Sequence, residues 1–281
     1  MKSRIAFVLL ATILAMPSAR AGFITFESAG ISPASISATR DAFRTAVGGG
    51  AIAGPNGSFG GLRREINWDG VPATAADPNP LPADFFNVNS PRGVVLSTPG
   101  SGFLVSANAG LGTPTLFGFA ADLQTFSAQR LFTAVDSNIT DVSFFVPGTM
   151  VAATTRAFAA IFVDVEVANL SKIEFFDADN TLIFSRDVLA AGNQGLSFVG
   201  AVAEAGEAIA RVRLTSGMNT IVANGVLGNP NDDLVVMDDF IYAEPMAAVP
   251  EPSSLALLAM GFAGLVASLR RRRHVLLPRN V

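Results

Sequence analysis

Between Gly93 and Ala243 the chain breaks again and again into short apolar stretches separated by Gly, Asn, Asp and Pro. The stretches are rich in Val, Ile and Phe, and several alternate apolar with polar residues. The candidate strands are 93–97, 102–107, 115–119, 139–146, 157–168, 171–177, 181–188, 195–203, 208–215 and 234–243. Ile209-Ala210-Arg211-Val212-Arg213-Leu214 alternates apolar with charged residues, as a strand with one wet face does. Ile173–Phe176 and Thr181–Phe184 flank Asp177-Ala178-Asp179-Asn180 and read as a hairpin. This many short strands at this spacing predicts an all-β, antiparallel sandwich of the jelly-roll kind.

The earlier part of the chain is less regular. Phe23–Glu27 reads as an opening strand, and 36–47 as the one short helix, with Phe43 and Val47 four apart and Gly48 as its stop. The glycine-rich stretch from Gly48 to Gly61 lacks the Gly-Lys-Ser/Thr ending of a phosphate loop and reads as a plain loop. Leu62–Trp68 alternates like a strand. Asp69 to Pro91 holds five prolines and reads as a long loop that either rims a binding face or packs down on the surface.

Both ends carry sorting information. Lys2 and Arg4, the apolar run Ile5–Met16 and Ala19-Arg20-Ala21 form a secretory signal peptide over residues 1–21, with Gly22 as the expected mature N-terminus. No twin-arginine pair is present, so Sec export and signal peptidase are the expected route. At the other end, Pro250-Glu251-Pro252 precedes an apolar run from Leu255 to Leu269, extended by Ser253 and Ser254 to an expected helix over 253–269, and then Arg270-Arg271-Arg272-Arg273. Seventeen helical residues span roughly 26 Å at ~1.5 Å each, at the short end for a membrane core of about 30 Å. The arginines keep the 274–281 tail cytoplasmic. The prolines hold Val249 and Glu251 extended, as a protease requires.

That order of elements resembles the PEP-CTERM sorting signal of Gram-negative bacteria, here over 248–273. The resemblance implies recognition by an exosortase, a membrane protease that removes the helix. It also implies anchoring in the inner membrane during sorting, a final place at the cell surface or outside it, and an association with exopolysaccharide and biofilm. The 274–281 extension departs from the usual end of such chains at the basic cluster.

Removing both ends changes the charge. Residues 22–247 carry 11 basic and 22 acidic side chains, a net charge of −11, whereas the whole chain shows −4. An acidic surface argues against nucleic acid as a partner. There is no cysteine, and the one histidine, His274, lies past the apolar run. The exported region therefore has no Ser-His-Asp triad, no cysteine nucleophile and no ordinary zinc site.

The strand pattern also resembles carbohydrate-binding, galactose-binding-like sandwiches, in which a structural calcium joins the first and last strands. Glu27 with Asp238 or Asp239 matches that arrangement, and on a regular strand one of the two aspartates points inward. The alternatives are that these carboxylates cap loops or pair with arginine. Trp68 and Asp69 are candidates for stacking and hydrogen-bonding a sugar, unless Trp68 is core. The expected function is a non-enzymatic surface or matrix protein that binds polysaccharide. The alternatives are a glycan-active hydrolase, which needs two carboxylates at about 5–10 Å, and a structural protein that keeps its membrane anchor.

Overall fold

The computed structural model describes residues 22–110, 113–222, 226–227 and 232–247, together with positions 261, 262 and 264, which are helical. The expected signal peptide lies outside the described residues, as do Pro250, Glu251, Pro252, Arg270, Arg271, Arg272 and Arg273 and nearly all of the expected span 253–269. Among the described residues no helix is long and apolar enough to cross a membrane. The chain divides into two units, Met1–Met246 and Ala247–Val281.

β1 (Phe23–Gly30) leads into α1 (Pro33–Val47), then β2 (Ser58–Phe59), β3 (Arg63–Ile66) and the four-residue α2 (Phe85–Val88). Next come β4 (Val94–Ser97), β5 (Gly102–Val105), β6 (Phe132–Val135), β7 (Ile139–Phe144), β8 (Ala153–Thr154) and β9 (Ala157–Val163). β10 (Lys172–Phe176), β11 (Leu182–Asp187), β12 (Leu196–Ala203), β13 (Arg211–Thr215), β14 (Ile221–Val222), β15 (Val226–Leu227), β16 (Val236–Ala243) and β17 (Met246–Ala247) follow.

Apart from β8 and β17, these strands form a large and a small sheet. The large sheet has ten strands in the order β1-β12-β9-β16-β6-β14-β15, with β3 on β16, β2 on β3 and β5 on β6. The small sheet has five, in the order β11-β10-β13-β7-β4. Within these two sheets each strand pair is antiparallel apart from the single contact of β14 with β6. The expected all-β antiparallel architecture is therefore present, with sheets of unequal size.

Period-two alternation divides the core. Phe158, Ala160 and Phe162 of β9 meet Ile173, Phe175, Val212 and Leu214 of the small sheet. Ala157, Ala159, Ile161 and Val163 of the same strand face the other way, onto Ile36, Phe43 and Val47 of α1. β9 is buried along its whole length because both its faces are covered. Each fully buried aromatic or aliphatic side chain stabilises by about 1.5–3 kcal/mol. Gly200 sits opposite Ala159 on the α1 side of the large sheet, and a Cβ there would lie 2.3 Å from that alanine's Cβ.

Several expectations from sequence are revised. The helix begins at Pro33, not at residue 36, and α2 is a second one. Residues 115–119 are not a strand. Leu116 and Phe117 take φ of 51° and 56°, outside any strand conformation, and 116–118 form a 3-10 turn. β6 was not anticipated. The Pro-rich segment packs down: Val71, Ala75, Ala76, Leu81, Phe85 and Phe86 are all buried in the core between the sheets.

Candidate functional site

The last long strand contains the irregularity that builds the site. Met237 pairs with Phe162 and Phe240 with Ala160, so Asp238 and Asp239 together oppose the single residue Ile161. This is a β-bulge. It moves the inward phase along by one: Met237, Phe240 and Tyr242 share the core between the sheets. The expectation that the two aspartates point to opposite faces fails for this reason. Both reach the same hydroxyl, with Ser127 Oγ 3.1 Å from Asp238 Oδ1 and 2.9 Å from Asp239 Oδ1. Asp238 Oδ2 also accepts from the Phe126 amide at 2.6 Å and the Ser127 amide at 3.3 Å.

Burial pushes both carboxyls up. Asp238 is fully buried, and its pKa is raised by desolvation and then by the charge of Asp239. Asp239, 6% exposed, is raised by burial to about 6, with its bonds to Asp238 and Ser127 acting in opposition. Two adjacent carboxyls in a dry site do not both ionise readily, so the pair retains a proton into mildly acidic pH.

Trp68 serves this bulge. Its Nε1 donates to the Asp238 carbonyl at 2.8 Å. The indole is wholly buried, stacked on Phe132 at 4.1 Å between ring centres and edge-on to Phe86 and Phe240. No face of it is open to a sugar, so the expected stacking role is corrected to a core role. Asp69 Oδ1 accepts the backbone amides of Gln129 and Arg130, the latter at 2.9 Å. It holds the segment that presents Ser127.

The expected calcium arrangement does not form. β12 and β9 lie between β1 and β16. Glu27 instead pairs with Arg186 of β11, with Nε–Oε2 at 2.7 Å. That bond joins an edge strand of the large sheet to an edge strand of the small one. The aspartates are committed to Ser127 and the neighbouring amides. Among the described residues no group of three or more acidic, His or Cys side chains is disposed to hold a metal. The residues present do not fit the ion.

Asp239 and Ser127 open into a cleft of about 640 Å³. Its sides include α1, residues of the 53–59 segment, Glu65 and Arg92. Helical spacing turns Arg40 and Arg44 to the cleft while Ile36, Phe43 and Val47 face the sheet. Arg44 pairs with Glu65 at 2.6 Å and with exposed Asp41 at 3.2 Å. Glu65 also receives Arg63 Nε at 2.9 Å. Arg40 pairs with Asp41 and lies 4.9 Å over the Phe126 ring. Arg92 Nη1 donates to the Glu65 carbonyl at 2.9 Å. Gly57, with φ of +64°, comes so close that a Cβ would lie 2.4 Å from that carbonyl. The glycine-rich segment, read from sequence as a plain loop, thus forms one wall. Sequence reasoning missed the cleft, although the four-residue spacing of Arg40 and Arg44 was its visible signal.

The far end of the chain carries a recognisable motif. Residues 248–273 match the PEP-CTERM protein-sorting motif. The chain carries a PEP-CTERM sorting signal. A PEP-CTERM signal marks a protein for export, with membrane-anchored sorting and processing by an exosortase. The search of curated proteins returns no match to this PEP-CTERM chain. Among solved structures, the enzymatically active domain of bacteriophage CBA120 tailspike protein 4 aligns with 59% of this chain at 10% identity and a TM-score of 0.23. The PEP-CTERM chain spans 20% of that structure's length, and a score this low carries no argument about fold or activity.

Proposed function

We propose that the exported domain is a non-enzymatic component of the cell surface or extracellular matrix that binds polysaccharide in the α1 cleft. The observation that carries this reading is the cleft itself. It is open and lined by guanidinium, hydroxyl, carboxyl and aromatic groups, and its volume lies within the about 300–1,000 Å³ of ligand pockets. The sorting signal, whose resemblance implies an association with exopolysaccharide, supports this reading. The strongly acidic remainder of the domain keeps it soluble there.

A glycan-active hydrolase is the second reading. Asp239, raised to about 6, suits a proton donor, and Glu65 lies on the adjoining strand opposite Ile241. Against it, Glu65 is bound by Arg44 at both oxygens and by Arg63 at one, which leaves it a poor nucleophile or base. The test is a polysaccharide panel scored for both binding and product release. Retention without new reducing ends is expected. New reducing ends favour the hydrolase, and no retention on any glycan refutes both readings.

A further inference from the structure

We infer that the cleft takes an anionic glycan, one bearing carboxylate or sulfate groups, held by Arg40, Arg44 and Arg92 and gated by the charge on Asp239. The inference rests on the polysaccharide-binding reading and specifies the ligand.

Charge contrast is the first argument. The exported region has only 11 basic residues against 22 acidic ones, yet three of the 11 line this single cleft. The acidic side chains on the same lining are Glu65 and Asp239. A local cationic patch in a recess on an acidic molecule favours anions at that place.

Arg92 is the second. Arg40 and Arg44 have carboxylate partners, but Arg92 has none among the described residues. Its Nη1 is taken by the Glu65 carbonyl and its buried Nε has no hydrogen-bond partner. Its guanidinium lies 5.1 Å over Phe86, and desolvation pulls its pKa down. A largely desolvated cation without a counterion is costly. A ligand anion in the cleft supplies that counterion. Arg40, 4.9 Å over the Phe126 ring, offers a second donor group in the same cleft.

Asp239 is the third. The groups that face it are Asp238 on its own strand, Glu65 on β3, Arg44 on α1 and the Ser127 hydroxyl. Arg40 and Arg92 share the cleft lining with it. When Asp239 is ionised, the lining carries two carboxylates against three guanidiniums. When it is protonated, one carboxylate remains. With Asp239 raised to about 6, anion binding strengthens as pH falls from 7.5 to 5. Uronate and sulfate groups stay charged across that range.

The test uses the full-length protein in detergent and calorimetric titration at pH 7.5 and 5.0. The probes are an oligogalacturonate, the same oligomer with its carboxyls reduced to alcohols, and a sulfated neutral oligosaccharide. The charged oligomers are expected to bind at least about tenfold more tightly than the reduced one, and several-fold more tightly at pH 5.0. The better of the two charged probes names the anion. Arg92→Gln and, separately, Arg40→Gln each weaken the charged ligand about tenfold, and Asp239→Asn removes most of the pH dependence. Arg40 is the cross-check should Arg92→Gln perturb folding. Equal binding of the reduced oligomer overturns the inference and leaves the polysaccharide reading standing. Charged binding that ignores both arginine variants, or that weakens at pH 5.0, also overturns it. No binding of any glycan refutes the broader reading as well.

Discussion

The Ser127 hydroxyl bridges two carboxyls that follow one another in the chain, at 3.1 Å from Asp238 and 2.9 Å from Asp239. One hydroxyl hydrogen cannot serve two carboxylates fully, so a proton on the pair completes the set. Both folded-state pKa values lie above the ordinary aspartate value of 3.8. At this pair the folded protein therefore holds more protons than the unfolded chain above pH 3.8. This contribution is fully present below that pH and is lost as pH rises through about 6. Asp164, raised to about 7 chiefly by burial, pushes the same way. Melting temperature is expected to fall between pH 5 and pH 8, and Asp239→Asn to fall less than the parent. An equal or steeper fall in the variant contradicts the assignment.

Trp68 is a structural residue by its contacts. Trp68→Phe removes the Nε1 bond and leaves the buried Asp238 carbonyl without its donor. The expected cost is about 1–3 kcal/mol, read by denaturant unfolding, with glycan affinity changed less than by the arginine variants. A variant that keeps full stability but loses glycan binding would restore the sugar-stacking role.

The Gly22 amide donates to Glu207 Oε1 at 2.6 Å, and the Glu204 amide donates back to the Gly22 carbonyl at 2.9 Å. Burial opposes the Glu207 carboxylate, yet amides including those of Gly22 and Ala205 lower its pKa. Signal-peptide cleavage after Ala21 would turn that amide into an ammonium already seated on its partner. Glu207→Gln is expected to lower the melting temperature of the mature protein by roughly 2–4 °C. Acetylating the Gly22 amine should give a similar loss, and the two losses should not add. Additive losses would show that the two groups act separately.

Processing at the sorting signal has a direct readout in the intact mass of the protein recovered from its host. Loss of everything after about residue 250 is the expected result, and an uncut C-terminus would identify a permanently anchored protein. Replacing Pro250 and Pro252 with alanine removes the restriction on Val249 and Glu251 and is expected to slow that loss.

Much of the fold was legible because alternation survives wherever one face of a strand is wet. β10 and β13, with every second residue buried, were read nearly to their ends. β6 was not. Its four residues are all buried, so it has no alternation to read, and its neighbours β5 and β16 are supplied by distant sequence. Thr115–Phe119 has strand composition, but Leu116 and Phe117 take positive φ, which composition does not show. The site was less legible than the fold. The aspartates stood out as a cluster, but their common direction depends on the bulge, and a bulge is a property of a strand and its partner together. Arg92 reaches the cleft only after folding, 48 residues from Arg44. Trp68 beside Asp69 looked like a sugar platform because sequence shows residue types and not which face is covered.

β16 lies in the middle of the large sheet, with β9 along one side and β3 and β6 along the other. It is also nearly the last part of the domain to be synthesised, ending at Ala243 just before the sorting signal begins at 248. In a chain that crosses the membrane N-terminus first, every other long strand would arrive before this one. The large sheet would then keep an open seam down its centre until the final segment had crossed, and the Asp239 side of the cleft would form only at that point.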